Sequence, residues 1–255
     1  MSAAVLRRGA ALCHIVLLLA ALLPVTATAE IVLRACDAEV QRAADTLSKI
    51  FRQWPLRPSG EPLGQALQSI TTQLAQQARE QHHRQWRTHV LRDSSLNAFS
   101  VGDGYIFVTE GMLRFVANEA ELAALLTHEF AHHMAGHFCQ KPRRAGMLRH
   151  LFGGSANAQE HKIGELSASM DSAKEREADR IGMVMLARAG YDPRSAVQLA
   201  SRMSTSGTPT HFQYEQRITA LQQLVAEKRY TGVTTSDSPA FEQMKNALRN
   251  EPQTP

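Results

Sequence analysis

The chain has 255 residues, 44% of them hydrophobic, and a formal net charge of +4. That length suits one domain of ordinary size with short extensions, and the apolar share is enough for a substantial core. Two of the positive charges are Arg7 and Arg8, the other basic residues are scattered, and no aromatic-basic stripe runs through the chain, so no nucleic-acid partner is expected.

Residues 1–29 read as a secretory signal peptide: Arg7 and Arg8 form a charged start, Ile15 to Leu23 an apolar run, and Ala27-Thr28-Ala29 a small-residue cleavage site. The apolar run is short of the roughly 20 residues a spanning helix needs, although an uncleaved N-terminal anchor is the alternative. No cysteine follows the run directly, which disfavours a lipoprotein anchor. Cys13 would leave with the leader, so Cys36 and Cys139 remain, an even number in an exported chain. A Cys36–Cys139 disulfide is therefore expected, tying the N-terminal segment to the chain after residue 132; two free thiols are the alternative.

From Glu30 onward, Asp37 caps a helix running to about Trp54, and Pro55, Pro58, Gly60 and Pro62 break it. Residues 63–84 read as a second helix, with His82, His83 and His89 near its end as a solvated polar group rather than a metal site. Trp86 to Arg92 and Asn97 to Ser100 look like short strands, and Gly102-Asp103-Gly104 turns the chain into a third, Tyr105 to Val108. This third strand is a plausible open edge for an extended peptide. Asn118 caps the next helix, with Glu121 three residues on in a capping-box pattern. Residues 139–160 are interrupted by Pro142 and Gly153-Gly154 and read as a mobile loop; Lys141, Arg143, Arg144 and Arg149 could touch anionic lipid. Helices are then expected over 163–189, from Pro193 to Met203, and over 214–229, before a polar, frayed tail.

The helix opened by Asn118 carries His128-Glu129-Phe130-Ala131-His132, an HExxH motif. Histidines four apart project from one face of a helix and can reach one metal ion, and the glutamate between them is placed to activate water. A catalytic zinc keeps three protein ligands, so a third must come from elsewhere. The extended motif HExxHxxGxxH fails, since its last glycine and histidine positions hold Ala135 and Phe138. His137, nine residues from His128, would lie about 180° away on a continuous helix and is a supporting or surface residue. Better placed is Glu175-Arg176-Glu177-Ala178-Asp179, in which Glu175 and Asp179 share a face and Glu177 is turned about 200° from Glu175. Glu175 can then be the third ligand while Asp179 hydrogen-bonds a ligand histidine.

The combination resembles the zinc endopeptidase family of the CAAX prenyl endopeptidase, HtpX, the mitochondrial Oma protease and the periplasmic BepA. The resemblance covers roughly residues 86–222 and includes Asn97-Ala98-Phe99, Gly104 to Val108, HExxH, Glu175 to Gly182, Gly190-Tyr191-Asp192-Pro193, and Thr210-His211 followed by Arg217-Ile218. It implies zinc ligands His128, His132 and Glu175, Glu129 as general base, Asp179 behind a ligand, His211 facing the metal as transition-state donor or latch, and Arg217 positioning that histidine. Unlike the membrane-embedded members, these residues show no long apolar segment after residue 29, and no tetratricopeptide tail is expected from them.

The expected fold is α+β, mostly α, with a zincin-like core, a small β-sheet and the HExxH helix. The expected organisation is a leader (1–29), an N-terminal helical segment (30–85), a metalloprotease core (86–230) and a tail (231–255). The expected function is zinc-dependent cleavage of extended or unfolded polypeptides in the bacterial periplasm, with one Zn2+ per chain. The alternative is a latent or chaperone-like zinc protein that binds unfolded envelope proteins without cutting them.

Overall fold

Capping chemistry sets where the helices begin. The structure, a computed structural model, describes residues 36–77, 84–139, 172–205, 215–227 and 236–250; the leader, His82, His83, residues 140–160 and His211 lie outside the described residues. It is α+β and mostly α. Among the described residues are helices α1 (Asp37–Gln53), α2 (Pro62–Gln77), α3 (Glu110–Phe115), α4 (Glu119–Met134), α5 (Ser172–Arg188), α6 (Arg194–Ser204), α7 (Glu215–Ala226) and α8 (Pro239–Arg249). The strands are β1 (Arg87–Leu91), β2 (Ala98–Gly102) and β3 (Tyr105–Thr109). The cap of α1 is Cys36 rather than Asp37: Cys36 has extended backbone and its Sγ accepts from the Glu39 amide. Asp37 instead places its charge in the first turn, where the helix dipole favours it. Asn118 caps α4 by accepting from the Glu121 amide at 2.9 Å, and Glu121 reaches back to the Ala117 amide at 2.8 Å.

The sheet order corrects the expected peptide-binding edge. β3 lies in the centre, parallel to β1 on one side and antiparallel to β2 on the other, so both its edges are occupied. The edge strands are β1 and β2, and β2 is the one beside α4. The β2–β3 turn needs glycine at Gly104, where φ is +78° and a Cβ would sit 2.3 Å from the Gln85 carbonyl oxygen. His89 lies on β1 with its ring stacked against Tyr105 and Phe107, rather than in a solvated polar group.

One apolar cluster joins α2 and α8 to the sheet and α4. Leu67, Ile70 and Leu74 of α2 meet Val90, Ile106 and Val108 of the sheet, Leu126 and Phe130 of α4, and Phe241, Met244 and Leu248 of α8. Trp86 stacks on Phe130 with ring centroids 4.1 Å apart. The segment read as a frayed tail therefore carries a packed helix. Its polar composition hides an i, i+3, i+7 apolar face, and Ser238 caps it by accepting from the Phe241 amide. Lys245 donates to the carbonyls of Leu113, Arg114 and Val116, where α3 ends. Likewise α2, from the segment read as separate from the core, packs into that core.

α1 braces the sheet and the C-terminal end of α4 through one buried carboxylate. Glu39 Oε1 accepts from Arg84 at 2.5 Å, from the Asp103 amide at 2.9 Å, and lies 3.2 Å from His133 Nδ1. Burial opposes the charge on Glu39, but His133 and Arg84 outweigh it and hold the pKa at about 2, below 4.5. A carboxylate with a depressed folded pKa stabilises the fold above its unfolded value; that contribution fades as pH falls from 4.5 through about 2. Urea titrations should therefore show stability lost over this window in the wild type, and a flatter acid profile in Glu39→Gln. At neutral pH Glu39→Gln should cost about 3 kcal/mol, because Arg84 stays buried without its anion. Cys36 and Cys139 are joined beside this network, with Cα atoms 5.8 Å apart.

Candidate metal centre

α4 runs through the core, so His128, Glu129 and His132 are only 2–4% exposed although all are polar. Across from them, Glu175, Asp179 and Gly182 fall at i, i+4 and i+7 along α5, on one face. Gly182 sets the distance between the helices. A Cβ there would stand 3.1 Å from the Thr127 carbonyl oxygen and 3.2 Å from His128 Cα. The missing side chain lets α5 press against the turn that carries His128, which brings Glu175 and Asp179 to it. Gly182→Val should push the helices apart, cost about 2–3 kcal/mol in thermal or urea unfolding, and weaken metal binding.

Three ligand atoms converge. His128 Nε2 and His132 Nε2 are 3.1 Å apart, and Glu175 Oε2 and Oε1 stand 3.3 and 3.6 Å from them respectively. Ligands about 2.1 Å from a tetrahedral ion are about 3.4 Å from one another, so these spacings match three corners of a tetrahedron. Two imidazoles and a carboxylate, all buried, make a donor set suited to a divalent first-row ion. Cys36, Glu39 and Cys139 also cluster, but the two sulfurs bond each other and Glu39 is engaged by Arg84, His133 and the Asp103 amide.

Behind the ligands lies a charged support. Asp179 Oδ1 is 3.1 Å from His128 Nδ1. Arg217, 4% exposed on α7, donates from Nε to Asp179 Oδ2 at 2.6 Å, holds Oδ1 through its second arm, and places Nη1 3.4 Å from Glu175. Burial would raise the Asp179 pKa, but the Arg217 guanidinium outweighs it and holds the carboxyl well below the usual range. Burial and Arg217 would lower His128, yet its hydrogen bonds to Asp179 and Glu175 hold it up at about 9.

Glu129 points toward β2, where the Ser100 hydroxyl donates to its Oε2 at 2.8 Å. The structure therefore brings together His128, Glu129, His132, Glu175, Asp179 and Arg217. The described partners of Arg217 are Asp179, Glu175 and His128; His211 lies outside the described residues. Ser100 was missed in the sequence, although it directly follows the Asn97-Ala98-Phe99 segment. His137 does not point away as a continuous helix would require. α4 ends at Met134, and Gly136 at φ +64° turns the chain so that His137 Nδ1 comes within 3.0 Å of His132 Nδ1.

Comparison with known proteins places these residues in context. The chain is 34% identical over 133 residues to the mitochondrial metalloendopeptidase OMA1 of Schizosaccharomyces pombe, covering 48% of this chain and 38% of that protein. It is 30% identical over 128 residues to OMA1 of Saccharomyces cerevisiae, covering 47% and 37%. It is 30% identical over 133 residues to the putative beta-barrel assembly-enhancing protease of Vibrio cholerae, covering 45% and 28%. The matches span only 28–38% of the length of these relatives. The model of Peptidase family M48 matches residues 63–225, which run from α2 to α7 and contain all six residues of the centre. The chain belongs to peptidase family M48.

Proposed function

We propose that the chain is a zinc-dependent metalloendopeptidase. The observation that carries this reading is the convergence of His128, His132 and Glu175 on one point, with Glu129 held beside it by Ser100. Zinc suits two imidazoles and a carboxylate with a fourth position left over. When bound there, zinc acts as a Lewis acid toward a peptide carbonyl and brings the pKa of a water to about 7. Glu129 is the group that would take a proton from the attacking water and return it to the leaving amine. The Ser100 hydroxyl fixes one oxygen of this carboxylate, so the base stays aimed during both transfers. Asp179 holds the His128 ring by its far nitrogen, and Arg217 balances the charges of Asp179 and Glu175 where water cannot.

A substrate strand can add to β2, the edge strand beside α4, by main-chain pairing. Pairing of that kind favours extended chains over folded ones. Unfolded or damaged envelope proteins are the substrate class this suggests, in an exported protein of the bacterial periplasm. The leader sequence supports export, and no described helix is long and apolar enough to cross a membrane. His211 is assigned either to donate to the oxyanion or to latch the site, and Lys141, Arg143, Arg144 and Arg149 to peripheral contact with anionic lipid.

The test is digestion of casein by the full chain. Cleavage should stop on chelation and return with zinc, while a tightly folded control protein persists. Cleavage that survives chelation contradicts the reading. So does the absence of cleavage in both the zinc-loaded wild type and His211→Ala, which would favour the chaperone-like alternative. Activity that rises in His211→Ala identifies a latch, and activity that falls identifies a transition-state donor.

A further inference from the structure

We infer that His137 is a positioning residue for the metal ligand His132, with Glu177 fixing the orientation of the His137 ring in turn. The inference rests on the metal-site reading above.

The end of α4 provides the geometry. The His137 amide donates to the His132 carbonyl at 3.0 Å, and the Gly136 amide donates to the His133 carbonyl at 3.0 Å. With Gly136 at φ +64°, this is the paired closure of a helix by a left-handed glycine. In that closure the residue after the glycine folds back over the residue three places before the helix cap, and the contact is usually apolar. Here the two residues are His137 and His132, and the contact is a ring-to-ring hydrogen bond: Nδ1 to Nδ1, 3.0 Å, with ring planes at 66°. On its other side, His137 Nε2 lies 3.3 Å from Glu177 Oε2. The His137 side chain is 0% exposed, whereas Glu177 is 48% exposed. The line thus runs from solvent to the metal point through two buried rings, His137 and then His132.

Hydrogen-bond polarity gives this line its purpose. A carboxylate only accepts, so it draws the His137 proton to Nε2. His137 Nδ1 is then the acceptor and must receive a proton from His132 Nδ1. That leaves the lone pair of His132 on Nε2, the atom facing His128 and Glu175. With the polarity reversed, His132 would carry its proton on Nε2 and could not ligate. Glu177 therefore sets the tautomers of two rings, and its own distance from the metal point is irrelevant to the effect. His128 obtains the same control in one step, from Asp179. This also gives the second carboxylate of the Glu175-x-Glu177 pair a task, although it is turned away from Glu175.

The experiment measures zinc affinity by competition with a chromophoric chelator and, separately, thermal unfolding of the metal-free proteins. His137→Leu should bind zinc about 10–100-fold more weakly than wild type. His137→Asn keeps an acceptor near the Nδ1 position and should recover most of that loss. Glu177→Gln should weaken binding by no more than about tenfold. Metal-free melting should be unchanged in His137→Asn and Glu177→Gln; if His137→Leu melts early, these two variants decide. The inference is overturned if His137→Leu binds zinc like wild type. It is also overturned if His137→Asn, melting normally, binds as weakly as a destabilised His137→Leu. His132→Ala separates this from the reading beneath it. If wild type holds no zinc, or His132→Ala holds it equally well, the metal site itself is wrong. If His132→Ala loses zinc and His137→Leu does not, only the role of His137 falls.

Discussion

Glu129→Gln is expected to abolish peptide hydrolysis and leave zinc in place. Glutamine preserves the size of the side chain and can still accept from Ser100, so α4 should keep its packing. What it loses is the ability to take a proton. A positioned general base contributes about 10²–10⁴-fold, and the loss should fall on kcat rather than KM, because the role assigned to Glu129 is proton transfer and not holding the peptide. Casein digestion, a fluorogenic peptide assay and zinc content on the same preparation would check this. Cleavage within about tenfold of wild type would remove Glu129 from the mechanism. Loss of zinc along with activity would mean that the variant has disturbed the site and not just its base.

Glu175→Gln should fail one step earlier, at metal binding. Replacing the carboxylate removes the anionic ligand and leaves Arg217, 3.4 Å from Glu175, with Asp179 as its main counter-charge. Affinity should fall by more than the tenfold limit set for Glu177→Gln, and by at least about a hundredfold. Activity should return only with excess zinc. A chelator competition assay gives both numbers. If Glu177→Gln were the more damaging change, the assignment of the third ligand to Glu175 would be wrong.

What could be read from the sequence was local. Asn118 with Glu121 announced the start of α4, and the HExxH spacing fixed which side chains share a face. The i, i+4 relation of Glu175 and Asp179 was equally plain from helical geometry. What could not be read depended on how distant segments meet. Nothing in the order of three short strands says which lies in the middle, so β3 was taken for an edge. Ser100 reaches Glu129 only because β2 runs beside α4, and Glu39 looks like any surface carboxylate until α1 docks. His137 was misplaced by carrying helical geometry past Met134; the glycine at 136, a common helix stop, was the available signal. α8 was overlooked because three large apolar residues in a polar segment identify a helix only when a core is waiting for them.

The most direct test of the central claim is anomalous diffraction at the zinc edge from crystals of the zinc-loaded chain. The account predicts one dominant peak about 2.0–2.2 Å from His128 Nε2, His132 Nε2 and a Glu175 oxygen. A peak bound by Glu177, a peak at Cys36, Glu39 and Cys139, or no peak between α4 and α5 would contradict it.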